Sequence, residues 1–314
     1  GVHVTWPYFV LAFLGGSALV FDAPNRHALT FQLVGRDELP NAIALNASMF
    51  NAARVVGPAV GGVLIAVVGV GACFTINAFS FLAVLASLLL MRVSELFPVR
   101  REETPTMFRG IREGLDFARG NPRVQLILLL TIVVTTVGFN FHVLVPILAA
   151  DTLHAGAVVF GALSACFGAG ALTGALFTAA VGRSTWKGVL IGVAGFSGLM
   201  LLLAPQRNAV VCAFLLYGIG AFFTVWTSNS QAILQLSAPD HLRGRVLSLY
   251  LLAFAGLAPL GGLLAGWLSD VGGTGLAFLV AGSVGVVMVA VAYMRARTIT
   301  RPAPAPLEAE PQGA

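Results

Sequence analysis

The sequence predicts an all-α membrane protein, a bundle of long apolar helices. Three observations lead there. Of 314 residues, 58% are hydrophobic and only 10% are charged, whereas soluble domains carry about 25% charged residues. The mean hydropathy is +0.90. The basic residues collect in alternate loops between apolar runs, the pattern of a chain threaded back and forth through a bilayer. A soluble enzyme, a disordered chain and a coiled coil are excluded by the same composition.

A transmembrane helix needs about 20 apolar residues. Nine runs meet or approach that length, near 7–21, 43–68, 71–91, 124–149, 156–181, 187–204, 208–235, 246–268 and 273–294. They are long and evenly apolar, unlike the short alternating strands of a membrane barrel. Cys73, Cys166 and Cys212 lie inside these runs. An odd number in apolar surroundings, without metal-ligand spacing, reads as small buried hydrophobes.

The loops orient the chain. Arg26 and Arg36 follow the first run, and seven arginines from Arg92 to Arg123 follow the third. Arg183 and Lys187 follow the fifth, Arg243 and Arg245 the seventh, and Arg295, Arg297 and Arg301 the last. Of the 18 basic residues, only Arg54 and Arg207 depart from this alternation. The positive-inside rule then places the C-terminus in the cytoplasm and Gly1 outside. The net charge of +5 is accounted for by topology, so nucleic acid is not an expected partner. The lipid bilayer is.

A faint internal repeat sets the period. Gly16, Asn25 and Ala28 recur as Gly220, Asn229 and Ala232, and Asp37 and Leu39 recur as Asp240 and Leu242. The stretch from Gly57 to Gly62 (GPAVGG) resembles Ala258 to Gly262 (APLGG). The first two runs thus repeat as the seventh and eighth, a period of six helices, as in transporters built from two parallel six-helix halves. The expected domains are residues 1–92, the remainder of an N-terminal half with three helices, and residues 93–123, a cytoplasmic linker. Residues 124–294 form a C-terminal six-helix half, and 295–314 a disordered cytoplasmic tail rich in Pro and Glu. On this count three helices are missing before Gly1. Within the linker, Met107 to Ala118 reads as an amphipathic surface helix, with Phe108, Ile111, Leu115 and Phe117 or Ala118 on its apolar side.

The motifs DAPNR (Asp22, Pro24, Arg26), NAIALN (from Asn41 to Asn46), GPAVGG (from Gly57) and INAFSF (from Ile76) resemble the major facilitator superfamily, in the branch of enterobactin exporters and macrolide-efflux proteins. The resemblance implies a two-half helical bundle of which helices 4–12 of twelve are present. It implies a secondary transporter in a bacterial inner membrane, exporting small amphipathic molecules of drug or siderophore type, with the proton as coupling ion. Gly57, Pro58, Gly61 and Gly62 resemble the family's antiporter motif, with Ala53 where another glycine is usual. Asp22, Pro24 and Arg26 would form a cytoplasmic loop motif. The basic residue usual in the fourth helix of the family is absent from the first run.

Several residues invite a role in transport. Arg54 lies near the middle of the second run, where a charge costs about 2.5–3.5 kcal/mol on insertion scales. It is expected to face a wet cavity, with Asn51 on a similar face, or to pair structurally. Asn140 and His142 lie among aromatics in the fourth run, and Trp226 and Asn229 in the seventh. Polar groups beside aromatic rings suit an amphipathic ligand, and equally suit hydrogen bonds between helices. Ala53, Gly57 and Gly61 recur at a spacing that lets helix backbones approach, with glycines of the fifth and eighth runs as partner faces. No carboxylate lies in the middle of any run, so a proton-carrying acid would have to lie elsewhere.

Catalytic signatures are absent from the sequence. There is no phosphate-binding loop, and Lys187 is the only lysine. No zinc-protease or nucleophile-elbow motif occurs. No enzyme activity, cofactor or metal is expected. The rival readings are a permease-like subunit that works with a separate ATPase, and a fragment that does not transport.

Overall fold

A computed structural model describes residues 6–97, 107–239 and 242–299. All regular structure among them is helical: α1 (Trp6–Leu89), α2 (Met107–Gly120), α3 (Pro122–Gly138), α4 (Phe141–Ile147), α5 (Ala157–Val181), α6 (Trp186–Leu203), α7 (Ala209–Ser237), α8 (Arg243–Ala255) and α9 (Ala258–Ile299). A 3₁₀ turn covers Val93–Glu95 and a π-helical turn Leu148–Thr152. Among the described residues, six segments are long and apolar enough to cross a membrane. The chain divides into two compact bodies, residues 1–53 with 70–104 and residues 54–69 with 105–314.

The 84 residues of α1 do not form one rod. Gly35 and Gly69 interrupt it with φ of +73° and +80°, a left-handed conformation that a Cβ disfavours. The first leg therefore continues past residue 21, where hydropathy alone ends it, and turns at Gly35. In the first body the chain returns to that turn. The Phe97 amide donates to the Gln32 carbonyl at 2.8 Å, and the Phe97 ring lies close against Gly35. Phe74, Phe79 and Leu89 stand 72%, 67% and 86% exposed. A helix that shows large apolar side chains to its surroundings reads as lipid-facing.

In the second body the helix starts are written in the sequence. The Asn121 side chain accepts from the amides of Arg123 and Val124, with Pro122 as the first residue of α3. Thr185 caps α6 through the Gly188 amide, and Asn208 caps α7 through Val210 and Val211. Each cap satisfies backbone donors that have no partner within the helix. Gly182, at φ +64°, closes α5.

The long fourth run is broken where hydropathy sees continuity. The Asn140 side chain donates to the carbonyls of Thr136 and Val137, and α3 ends at Gly138. Pro146, inside α4, has no N–H for the His142 carbonyl. The π turn follows, with the Leu153 amide on the Leu148 carbonyl. The last two runs are joined differently from expectation. Helix α8 stops at Ala255, ahead of Pro259, whereas Gly272 and Gly273 interrupt α9 without ending its assignment.

Helix α7 packs between α5 and α6, and α9 packs against α3 and α6. Glycines set these distances. Gly170 and Gly174 of α5 press on the backbone of Tyr217 and Ala221, and Gly220 of α7 presses on Phe167. Gly282 of α9 meets α6 at Ser197, and Gly261 meets α3 at Thr136. Lipid is as apolar as the core, so packing at short range is what holds such helices together.

Candidate transport site

The centre of the second body is aromatic. Phe139, just after α3, stacks on Phe223 of α7 with centroids 4.4 Å apart and planes 7° apart. Phe141 lies 4.8 Å from Phe167 of α5, and Phe254 lies 5.2 Å from Phe139. Phe196 of α6 lies 5.8 Å from Trp226. Offset and edge-on pairs of this kind stabilise by about 0.5–1.5 kcal/mol beyond their burial.

Trp226 is completely buried in this cluster. Gly192 makes room for it, since a methyl group there would lie 2.7 Å from the Trp226 Cα. The indole Nε1 has no hydrogen-bond partner among the described residues. Thr131, Ser197 and Ser230 are likewise buried, with hydroxyls that lack partners. Buried polar atoms without partners are uncommon and call for a reason.

The other expected residues divide. The Asn229 amide donates to the Val225 carbonyl at 2.8 Å, and its oxygen accepts from the Thr185 amide at 2.9 Å. It ties α7 to the start of α6. Asn140 is buried and bonded to its own helix, so both its donor hydrogens are directed at backbone. His142 is exposed on α4. The structure therefore brings Trp226 into the aromatic centre, sets Asn140 between α3 and α4, directs the Asn229 side chain from within α7 to the start of α6, and leaves His142 exposed. The side chains of Asn51, Arg54, Asp22, Pro24 and Arg26 lie outside the described residues.

Ala53 and Gly57 are exposed, Pro58 and Gly61 half-buried and Gly62 buried. A methyl group on Gly62 would lie 2.8 Å from both the Ala157 carbonyl oxygen and the Gly161 Cα. One on Gly161 would lie 2.6 Å from the Pro58 carbonyl oxygen. Gly161 is thus the partner of this segment, while Gly170 and Gly174 on the same helix face α7. Sequence reading missed the rings of Phe167, Phe196 and Phe254. They lie on separate helices, and in so apolar a chain a phenylalanine carries no signal of its own.

Comparison with known proteins agrees with this architecture. The transmembrane secretion effector family matches residues 1–307. The staphyloferrin A transporter of Staphylococcus aureus is 23% identical over 276 residues, covering 87% of this chain and 68% of that protein. The multidrug efflux pump Tap of Mycolicibacterium fortuitum is 28% identical over 284 residues, covering 86% of this chain and 68% of the pump. The enterobactin exporter EntS of Shigella boydii is 29% identical over 250 residues, 78% of this chain and 56% of the exporter. A crystal structure of a bacterial homologue of the human lysosomal transporter Spinster, inward-facing and unoccupied, superposes with a TM-score of 0.60. It is 15% identical and covers 90% of this chain and 76% of its own. An all-helical, multi-pass fold matched by one family along nearly its whole length identifies the chain as a membrane transporter of the major facilitator superfamily.

Proposed function

We propose that the protein exports small amphipathic molecules of drug or siderophore type, in exchange for protons, by alternating access. Kinship carries this reading: relatives over most of the chain are named as a staphyloferrin A transporter, a multidrug efflux pump and an enterobactin exporter. The geometry adds a means of movement. The seam at Pro58, Gly62 and Gly161 is made of backbone, a smooth surface along which helices slide without repacking side chains. Arg54, four residues before that proline, contributes to the substrate site. Asp22, Pro24 and Arg26 form a cytoplasmic loop motif. The domains follow the sequence partition at 92, 123 and 294. The protein lies in a bacterial inner membrane with its C-terminus in the cytoplasm.

The test is efflux of ethidium from cells stripped of their own pumps and expressing the complete reading frame. Fluorescence falls faster than in vector controls, and a protonophore abolishes the difference. Arg54→Ala lowers efflux at unchanged expression. Efflux that survives collapse of the proton gradient would reject proton exchange. Efflux and expression both unchanged in Arg54→Ala would remove that residue from the site. A C-terminal green fluorescent protein fusion that stays dark would reverse the orientation.

A further inference from the structure

A cavity of about 570 Å³ opens where three connections meet at one end of the second body. Asp151 and Thr152 enter from the π turn, His154 from the loop before α5, and Arg207 from the loop between α6 and α7. Ser269 and Thr274 come from either side of the break in α9. We infer that this cavity binds a small zwitterion with an apolar body, its carboxylate on Arg207 and its ammonium on Asp151.

Three observations support the assignment. The first is charge. Among the described residues Arg207 donates only to the neighbouring Gln206 carbonyl, and Asp151 has no ion-pair partner. One cation and one anion thus line the same cavity without neutralising each other, which suits a ligand that presents both signs. The second is backbone. The π turn, His154 at φ +48° and Gly273 at φ +70° all border this space. Such irregular conformations cluster where a chain aims groups at a ligand. The third is placement. Arg207 is one of two basic residues that break the inside–outside alternation. An arginine on the outer side opposes the insertion bias, and a ligand contact gives it a purpose.

Hydroxyls complete the lining. Thr152 and Thr274 share a hydrogen bond of 2.8 Å across the cavity wall, while Ile147 and Leu153 supply apolar surface. Neither Arg207 nor Asp151 is buried, so both can be changed without disturbing the core. The inference takes from the exporter reading only the site's position, at the end through which cargo would leave.

The experiment is ligand-observed NMR on the purified full-length protein in detergent, with three probes of one size: L-phenylalanine, 3-phenylpropionate and phenethylamine. L-phenylalanine binds about tenfold more tightly than either singly charged analogue, equivalent to about 1.4 kcal/mol. Arg207→Gln weakens L-phenylalanine and 3-phenylpropionate but not phenethylamine. Asp151→Asn weakens L-phenylalanine and phenethylamine but not 3-phenylpropionate. Arg207→Lys retains part of the binding. No binding of L-phenylalanine, or equal binding by wild type and both charge variants, overturns the proposal. Binding needs no transport, so ethidium efflux without L-phenylalanine binding defeats this site alone, and binding without efflux defeats the exporter reading alone.

Discussion

Gly62 and Gly161 touch through their backbones: a methyl group on Gly62 would come within 2.8 Å of the Gly161 Cα, and the reverse holds equally. Neither position has a flexible side chain that could yield. Adding volume forces the two helices apart, at about 1–3 kcal/mol per misfit. Gly161→Leu therefore lowers the detergent melting temperature and reduces efflux. Gly198→Leu, at a glycine with open space around it, changes neither. Equal melting temperatures for wild type and Gly161→Leu would refute the contact.

Asn229 joins two helices through one amide. Asn229→Ala leaves the part-buried Thr185 amide without its side-chain acceptor, a loss of about 0.5–1.5 kcal/mol. Asn229→Asp keeps the acceptor but buries a carboxylate against the Val225 carbonyl oxygen, so it destabilises more. Thermal unfolding of the two variants gives that order.

Trp226 presents a different balance. Trp226→Ala empties a fully buried site and costs about 3–5 kcal/mol. Trp226→Phe keeps much of the packing and removes an indole N–H that has no partner, so its cost is well below that of the alanine variant. Unfolding in mixed detergent measures both.

Pro146 withholds a donor from the His142 carbonyl just before the π turn. Pro146→Ala returns that donor and favours regular winding through residues 148–152. Hydrogen exchange across 146–153 slows in the variant. Faster exchange would mean that the turn has another origin.

Glu113 of α2 is ion-paired with Arg245 at the start of α8, the two side chains being 35% and 24% exposed, and Gly114 packs on Leu249 beside them. Arg245→Glu sets like charges against each other and speeds amide exchange throughout Met107–Gly120. Adding Glu113→Arg slows it again. A double variant no slower than the single one would show that packing alone holds α2.

The helices α5, α6 and α7 were legible to within a residue or two, because each is one long apolar run. The break at Phe139 and Asn140 was not. Hydropathy registers whether a residue prefers lipid, not which carbonyl its side chain engages, and Asn140 was read from its polarity beside aromatic rings, as a ligand contact or a hydrogen bond between helices. Asn229 follows the same logic. The small residues at 57–62 were recognised, but their partner depends on how α5 is rotated, and that decides between Gly161 and Gly170. The cavity at Arg207 joins residues more than a hundred positions apart, and its only trace in the sequence was an arginine that broke the alternation of basic loops.

The glycines that hold α5 to α7 have a consequence for inheritance. Every single-nucleotide change in a glycine codon that alters the residue adds at least a side-chain carbon. At Gly170, Gly174 and Gly220 that carbon would fall on the opposing backbone. These three codons therefore tolerate only silent change. Phe74 and Phe79, turned outward, are free to drift among apolar residues. Over generations the lineage would rewrite its lipid-facing surface while the α5–α7 seam stayed fixed.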